Sequence, residues 1–410
     1  MKPVMNTFTI RFRALLSMTN SKPLENGQLI VERGRIREVF PDTRSPIEGE
    51  LIDLSDCLIL PGFVNAHCHL SLSALKCLIP RGGFFATWVR SVIEKNELVS
   101  WENRVFALHA QAKIMACSGV TALVDYIPQA KFIKEYSGLP FRQTLLLEVL
   151  GFLPWMAEPI VENLELTFKQ KVNESGMVKL GLAPHSPYSV SPKLFREVKR
   201  LADKYKCPLS CHVAEFSEEL QFLQDGSGDM KDLLKERSMF DDDWTPPASS
   251  PAQYLDSIDV LDSLVAVHLN LADADMDLLK SKKVKAVFCP QSTRWFRRDK
   301  YMPVRDLLDL GIVVGLGTDS LASSESLNFL DEIRAAEEML VDVSREEILR
   351  MATKGGAETV GMDCGVIEKG RPADLIGFRL RGEFDDWYSL PFEPEREKAD
   401  FVMIDGKKVF

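Results

Sequence analysis

The chain has 410 residues, 45% of them apolar and 27% charged, which supplies a large core and excludes a disordered or low-complexity protein. Its net charge of -10 and pI near 5.3 weigh against a nucleic-acid or anionic-membrane binder, which carries a basic face. No apolar run reaches the length of a membrane span and no secretory leader is recognisable, so no membrane partner is expected and the expected location is cytoplasmic. The eight cysteines form no CxxC pair or compact framework, which suits free thiols in a reducing compartment.

Residues 1 to about 60 read as short strands and turns: Phe8–Arg13, Gln28–Glu32 and, after Gly34, Arg35–Phe40. A second such group closes the chain, with Asp374–Phe378 and a hairpin-like Phe401–Phe410 that turns at Asp405-Gly406. Neither group is large enough to bury a core alone. The expected arrangement is one small β-sandwich domain built from residues 1–60 and 366–410, flanking a central domain over 61–365.

In that central part strands alternate with helical patterns. Strands are expected at 60–66, 120–125, 143–149, 178–184, 207–213, 263–269, 284–289 and 312–318. Helices such as Asn103–Cys117, Pro192–Lys206 and Ser324–Leu340 lie between or after them. Eight strand–helix units predict an α/β fold, a closed parallel (β/α)8 TIM barrel, with an open doubly wound sheet as the alternative. In a barrel, chemistry collects at the carboxyl ends of the strands.

Five of the six histidines fall there. The first strand runs into His67-Cys68-His69, where strand alternation turns both imidazoles one way and Cys68 the other. The fourth strand ends at His185, the fifth at His212, the sixth at His268, and the eighth at Thr318-Asp319-Ser320. His109 sits inside a helix and reads as structural or solvent-facing. His67, His69, His212 and Asp319 suffice for one divalent metal with a position left open for water. A two-metal site would need a bridging carboxylate or a carbamylated lysine; the fourth strand ends in His185 instead, which favours one ion. Glu215, three residues past His212, suits a general acid beside metal-activated water, or a surface acid opening helix Ser217–Asp225. His268 would orient the water or shuttle its proton, or serve as a buried hydrogen-bonded histidine. His185 reads as a substrate contact.

Taken together, Pro61-Gly-Phe-Val-Asn-Ala-His-Cys-His69, His212-x-x-Glu215, His268 and Thr318-Asp319-Ser320 resemble the amidohydrolase superfamily, in its branch of nucleoside and nucleobase deaminases and chlorohydrolases. The resemblance extends to Gly370-Arg-Pro-Ala-Asp-Leu375 and covers nearly the whole chain. It implies that His67, His69, His212 and Asp319 bind one zinc or iron(II). It also implies that Glu215 protonates a ring nitrogen, that His268 polarises the water and that Asp319 is its base. The other zinc deaminase design, HxE with PCxxC, is absent from the sequence.

The segment Phe85-Ala-Thr-Trp88-Val-Arg-Ser-Val-Ile93 is similar to a stretch of aminofutalosine deaminases, in the futalosine route to menaquinone. That similarity implies 6-amino-6-deoxyfutalosine, an adenine nucleoside with a carboxyphenyl tail, as substrate. Trp88, Arg81, Arg294, Arg297 and Ser320 are the candidate contacts for it. The alternatives are a methylthioadenosine or S-adenosylhomocysteine deaminase, a guanine deaminase or a triazine chlorohydrolase. From another class comes a non-catalytic barrel with a closed structural metal. One departure from relatives is Cys289-Pro-Gln-Ser-Thr293, where Thr293 replaces an asparagine and lacks its paired donor and acceptor. The stretch 226–262 reads as a partly irregular lid or rim. A homodimer is the expected assembly.

Overall fold

A computed structural model describes residues 7–20, 22–171, 177–381 and 386–409, so the outermost ends of both terminal segments, including Phe410 of the expected hairpin, lie outside the described residues. The terminal strands are β1 (Thr7–Leu15), β2 (Leu24–Glu32), β3 (Arg35–Phe40), β4 (Glu50–Pro61), and at the other end β13 (Leu375–Arg379), β14 (Phe401–Ile404) and β15 (Lys407–Lys408). They make one seven-stranded sheet in the order β15-β14-β13-β4-β1-β2-β3, a single hydrogen-bonded layer where a two-layered sandwich was expected.

Strand β4 is the element the sequence reading missed. It pairs parallel with β1 (Ile10↔Ile52) and antiparallel with β13 (Ile376↔Leu60), joining the two ends of the chain. Its side chains alternate with period two. Cys57 and Ile59 belong to the core of the terminal sheet, with Phe12, Val31 and Leu375, whereas Leu58 and Leu60 belong to the main core. At Gly62 the chain passes from this sheet into the central strands. A Cβ there would lie 2.0 Å from Thr121 Oγ1, so only glycine allows the crossing.

The eight central strands are β5 (Phe63–Cys68), β6 (Val120–Ile127), β7 (Arg142–Val149), β8 (Val178–Pro184), β9 (Ser210–Val213), β10 (Val265–His268), β11 (Lys285–Phe288) and β12 (Val314–Leu316). All eight fall on expected positions. They form two four-stranded parallel sheets, β5-β6-β7-β8 and β9-β10-β11-β12. Single parallel bridges join the sheets at both seams, Leu182↔Leu209 and Cys68↔Asp319. Ala122, Val124 and Tyr126 face an inner core with Val267 and Val287, while the alternate Leu123 faces the outer layer of helices.

The helices that shape the site are, in chain order, α1 (Phe85–Glu97), α2 (Trp101–Cys117), α3 (Pro192–Tyr205), α4 (Ser217–Asp225), α5 (Asp229–Glu236), α6 (Pro290–Trp295) and α7 (Phe329–Met339). Ser100 and Ser191 cap α2 and α3 by accepting from Asn103 and Leu194 main-chain N–H groups. Helix α7 starts five residues later than Ser324. The Ser324 hydroxyl donates to the Ser326 carbonyl at 2.8 Å, a local bond that competes with helix formation, and Asn328 then caps the helix. The 226–262 stretch contains α5 and a short helix Pro251–Ser257 around an irregular segment, where Trp244 stacks on Phe222 with ring centroids 4.5 Å apart. Among the described residues no helix is long and apolar enough to cross a membrane.

Candidate active site

Five histidine rings and one carboxylate converge at the carboxyl end of the central strands. The His67 ring lies 4.9 Å from His69 and 5.0 Å from His212, and His212 lies 5.5 Å from His268 and 4.9 Å from His185. Asp319 Oδ1 sits 3.7 Å from His67 Nε2 and 3.8 Å from His69 Nε2. Simple alternation does not bring them there. Val64 and Ala66 already face the inner core, so strict alternation would turn His67 outward. A register shift between Asn65 and Cys68 re-aims the chain. His69 itself follows the strand's last residue. Cys68 does point away, as expected, with its thiol on Asp125 Oδ2 at 3.2 Å.

Two further members of the cluster depend on uncommon backbone. His268 has φ 76° and Asp319 has φ 57°, left-handed conformations that a non-glycine residue adopts at a cost of about 1–3 kcal/mol. In β10 the inner-facing residues are Val265 and Val267, so without this twist His268 would point outward. At the β5–β12 seam the two halves of the signature lock together. Asn65 Nδ2 donates to Thr318 Oγ1 at 2.8 Å, and the Thr318 N–H donates to Asn65 Oδ1 at 3.1 Å. Gly317 is required beside them, because a Cβ there would lie 2.8 Å from His67 Cβ.

Hydrogen bonds decide which atoms stay free. His212 Nδ1–H donates to the His185 carbonyl at 2.9 Å, leaving Nε2 with its lone pair. Asp319 Oδ2 accepts from the Ser292 hydroxyl at 2.7 Å and the Ser323 hydroxyl at 2.8 Å, leaving Oδ1 toward the histidines. Both ring nitrogens of His67, wholly buried, have no hydrogen-bond partner among the described residues. A buried imidazole left unsatisfied is costly, and a cation answers it. The donor set (His67, His69 and Asp319, with His67, His212 and His268 grouped on the other side) fits a divalent ion of the zinc or iron type. Burial holds the His69 ring down to about 3 and pushes His212 well below the usual imidazole value, so both are neutral, the form that binds metal.

Glu215 stands beside this cluster, with Oε2 3.5 Å from His268 Nε2. Burial pushes its carboxyl well above the ordinary range, opposed by the nearby charge of Arg298. A carboxyl shifted in that direction suits a proton donor. The Glu215 main-chain N–H donates to Glu219 Oε2 at 2.8 Å, and its carbonyl accepts from Arg298 Nη1 at 2.7 Å. Arg298 lies over the Phe216 ring at 3.7 Å, with Nη2 3.5 Å from Glu215 Oε1.

The cluster opens into a cavity of about 340 Å³. Trp88, His185 and Ser320, expected as substrate contacts, line it. Trp88 is pinned by its Nε1–H donating to the Ala322 carbonyl at 2.7 Å, and His185 by a 2.7 Å hydrogen bond to the Ser189 hydroxyl. The three expected arginines do not line it. Arg294 is exposed and paired with Glu338 at 2.6 Å, Arg81 is exposed and paired with Glu325, and Arg297 is exposed beside Gly82. Their own acids and solvent hold them. From the same run it is Arg298 that turns inward. His109 is solvent-facing, 3.9 Å from Glu135.

A model of the amidohydrolase family matches residues 58–409. The chain belongs to that family. Among curated relatives of this amidohydrolase, a 5-methylthioadenosine/S-adenosylhomocysteine deaminase of Pyrococcus furiosus is 30% identical over 378 residues, 86% of this chain and 82% of the relative. A 5'-deoxyadenosine deaminase of Methanobrevibacter smithii is 29% identical over 388 residues, 90% of this chain and 83% of the relative. Among solved structures, the aminofutalosine deaminase of Helicobacter pylori in complex with methylthio-coformycin superposes with a TM-score of 0.85 at 24% identity, covering 98% of this chain and 100% of that one. An adenosine deaminase from Xanthomonas campestris with bound zinc gives 0.84 at 23% identity, covering 98% and 92%. The amidohydrolase is an enzyme, a hydrolase acting on carbon–nitrogen bonds other than peptide bonds.

Several site residues of the amidohydrolase were not singled out from sequence. Ser292 sits inside the Cys289–Thr293 motif and Ser323 three residues past Thr318-Asp319-Ser320, and the signal missed was the need to hold the second oxygen of Asp319. Glu148, the last residue but one of β7, lines the cavity and is raised to about 7 by burial and then by Asp125 and Asp319. Its position at a strand end was the available sign. Arg237, in the 226–262 stretch, also lines the cavity, and nothing in the sequence marked it.

Proposed function

We propose that this enzyme hydrolytically deaminates an adenine-type nucleoside, on a central domain (61–365) whose two half-sheets make one closed (β/α)8 barrel flanked by the terminal segments 1–60 and 366–410. The observation that carries the reading is Glu215, a buried carboxyl 3.5 Å from His268, beside an aspartate whose free oxygen faces two histidines. His67, His69, His212 and Asp319 would hold one divalent cation, zinc or iron(II), and when bound it supplies Lewis-acid activation of water. His268 would orient that water through a ring nitrogen. As the water oxygen bonds to the amine-bearing carbon, Glu215 gives its proton to the adjacent ring nitrogen. Asp319 would take one proton of the water and return it to the amine; the carbon–nitrogen bond breaks, ammonia leaves, and the remaining hydroxyl proton passes to Glu215 as the ring carbonyl forms. His185 and Ser320 line the space for the base and sugar, and Trp88 offers a flat apolar wall.

Within this class 6-amino-6-deoxyfutalosine is the preferred substrate. The Phe85-x-x-Trp88 stretch supports it by lining an apolar cavity next to the catalytic cluster. The second reading, 5'-methylthioadenosine or S-adenosylhomocysteine, is favoured by the Pyrococcus relative. Ammonia release from a panel of adenine nucleosides differing only at the 5' position decides between them. The fastest turnover is expected on the acidic aryl nucleoside. A preference of tenfold or more for methylthioadenosine would reverse the order, and no release from any member would reject the deaminase.

A further inference from the structure

Two helices continue the cavity away from the catalytic cluster. Trp88, Val89, Val92, Ile93 and Asn96 share one face of α1, and Leu233, Leu234 and Arg237 follow the same i, i+1, i+4 spacing along α5 and just past its end. The helices are clamped by Arg90, which donates to both carboxylate oxygens of Glu236 at 2.8 and 2.7 Å. Trp88 marks the catalytic end, since its indole bonds the carbonyl of Ala322, three residues past Asp319. At 1.5 Å per residue, the wall extends about 12 Å along α1 from Trp88 to Asn96. Apart from Asn96, whose side-chain oxygen accepts from Arg104, the wall is apolar with one charged exception. Among the described residues Arg237 is the only lysine or arginine lining the cavity, and its guanidinium has no ion-pair or hydrogen-bond partner there. The neighbouring acid, Glu236, is already taken by Arg90.

We propose that the α1–α5 wall is a subsite for the 5' substituent of the nucleoside, and that Arg237 selects substituents that are apolar along their length and anionic at the end. This rests on the deaminase reading and assigns to Arg237 the role that Arg81, Arg294 and Arg297, standing outside the cavity, do not fill. An aryl or alkyl chain is desolvated against Val89, Val92, Leu233 and Leu234, while a carboxylate reaching Arg237 gains a bidentate, charge-assisted contact. A neutral end of the same shape buries the same area and gains no such contact. Discrimination between acid and neutral isostere therefore measures Arg237 alone.

The test compares 5'-(3-carboxyphenylthio)-5'-deoxyadenosine with its carboxamide, in the metal-loaded enzyme. In the wild type the acid is expected to exceed the amide in kcat/KM by about tenfold or more, with the ratio falling as salt rises. Arg237→Gln is expected to bring that ratio to within about twofold of one, and Arg237→Lys to keep most of it. A wild-type ratio near one, or a ratio that survives Arg237→Gln, would overturn the assignment. Titration calorimetry of the two nucleosides reads the same ratio in binding, without turnover. If no nucleoside releases ammonia, the deaminase reading falls while calorimetry still decides the subsite.

Discussion

Asp319 is the residue on which the site turns, and two hydroxyls set its pose. Ser292 donates from α6 and Ser323 from the loop after β12, at 2.7 and 2.8 Å to the same Oδ2. Both serines are buried, so water does not replace a lost hydroxyl. A hydrogen bond to a charged group contributes about 1.5–3 kcal/mol, and 1.4 kcal/mol is a factor of ten. Ser292→Ala or Ser323→Ala should therefore lower turnover or metal affinity about 10- to 100-fold, the range seen for groups that orient metal ligands. The double variant should lose more than either, because one hydroxyl still fixes the carboxylate after the other is gone. The assay is metal retention against a graded chelator, alongside kcat on the best nucleoside. If both single variants and the double keep wild-type metal affinity and kcat, Oδ2 is not what orients Asp319, and the assignment of Oδ1 as the free donor fails with it.

Glu215→Gln should retain metal while losing about 100-fold or more in kcat, since the amide fills the space without a proton to give; retained turnover would remove Glu215 from the reaction. Arg298→Met should lower kcat with KM little changed, because the guanidinium holds the Glu215 carbonyl and carboxylate and is absent from the cavity lining; a rise in KM alone would make it a substrate contact. Burial raises Glu148 from about 4.5 to about 7, so the folded enzyme binds a proton that the unfolded chain releases. That stabilisation is complete below the unfolded value and is lost as pH rises toward 7. Its ceiling is about 3 kcal/mol, reduced by the partial exposure of the side chain. Glu148→Gln should flatten the fall in denaturant midpoint between pH 5 and 8, and an unchanged slope would contradict the shift.

The sequence by itself determined the strands, because buried parallel strands read as apolar runs ended by turn residues, and all eight central ones fall where that pattern put them. It also determined the cluster: His67, His69, His212, His268 and Asp319 are recognisable as strand-end residues, and the structure brings all five together. Strand β4 escaped notice because its outer half, Glu50–Asp56, alternates charge with partial burial and carries no continuous apolar signal.

What only the tertiary structure decided is direction. The register shift that turns His67 inward and the left-handed backbone of His268 and Asp319 are responses to neighbours across the seams, which no local pattern encodes. The same holds for charge. Among five adjacent residues carrying Arg294, Arg297 and Arg298, composition does not say which is taken by a surface acid and which packs between Phe216 and Phe296. A guanidinium on a long, flexible stem goes where its partner is, and partners distant in sequence are placed only by the folded chain.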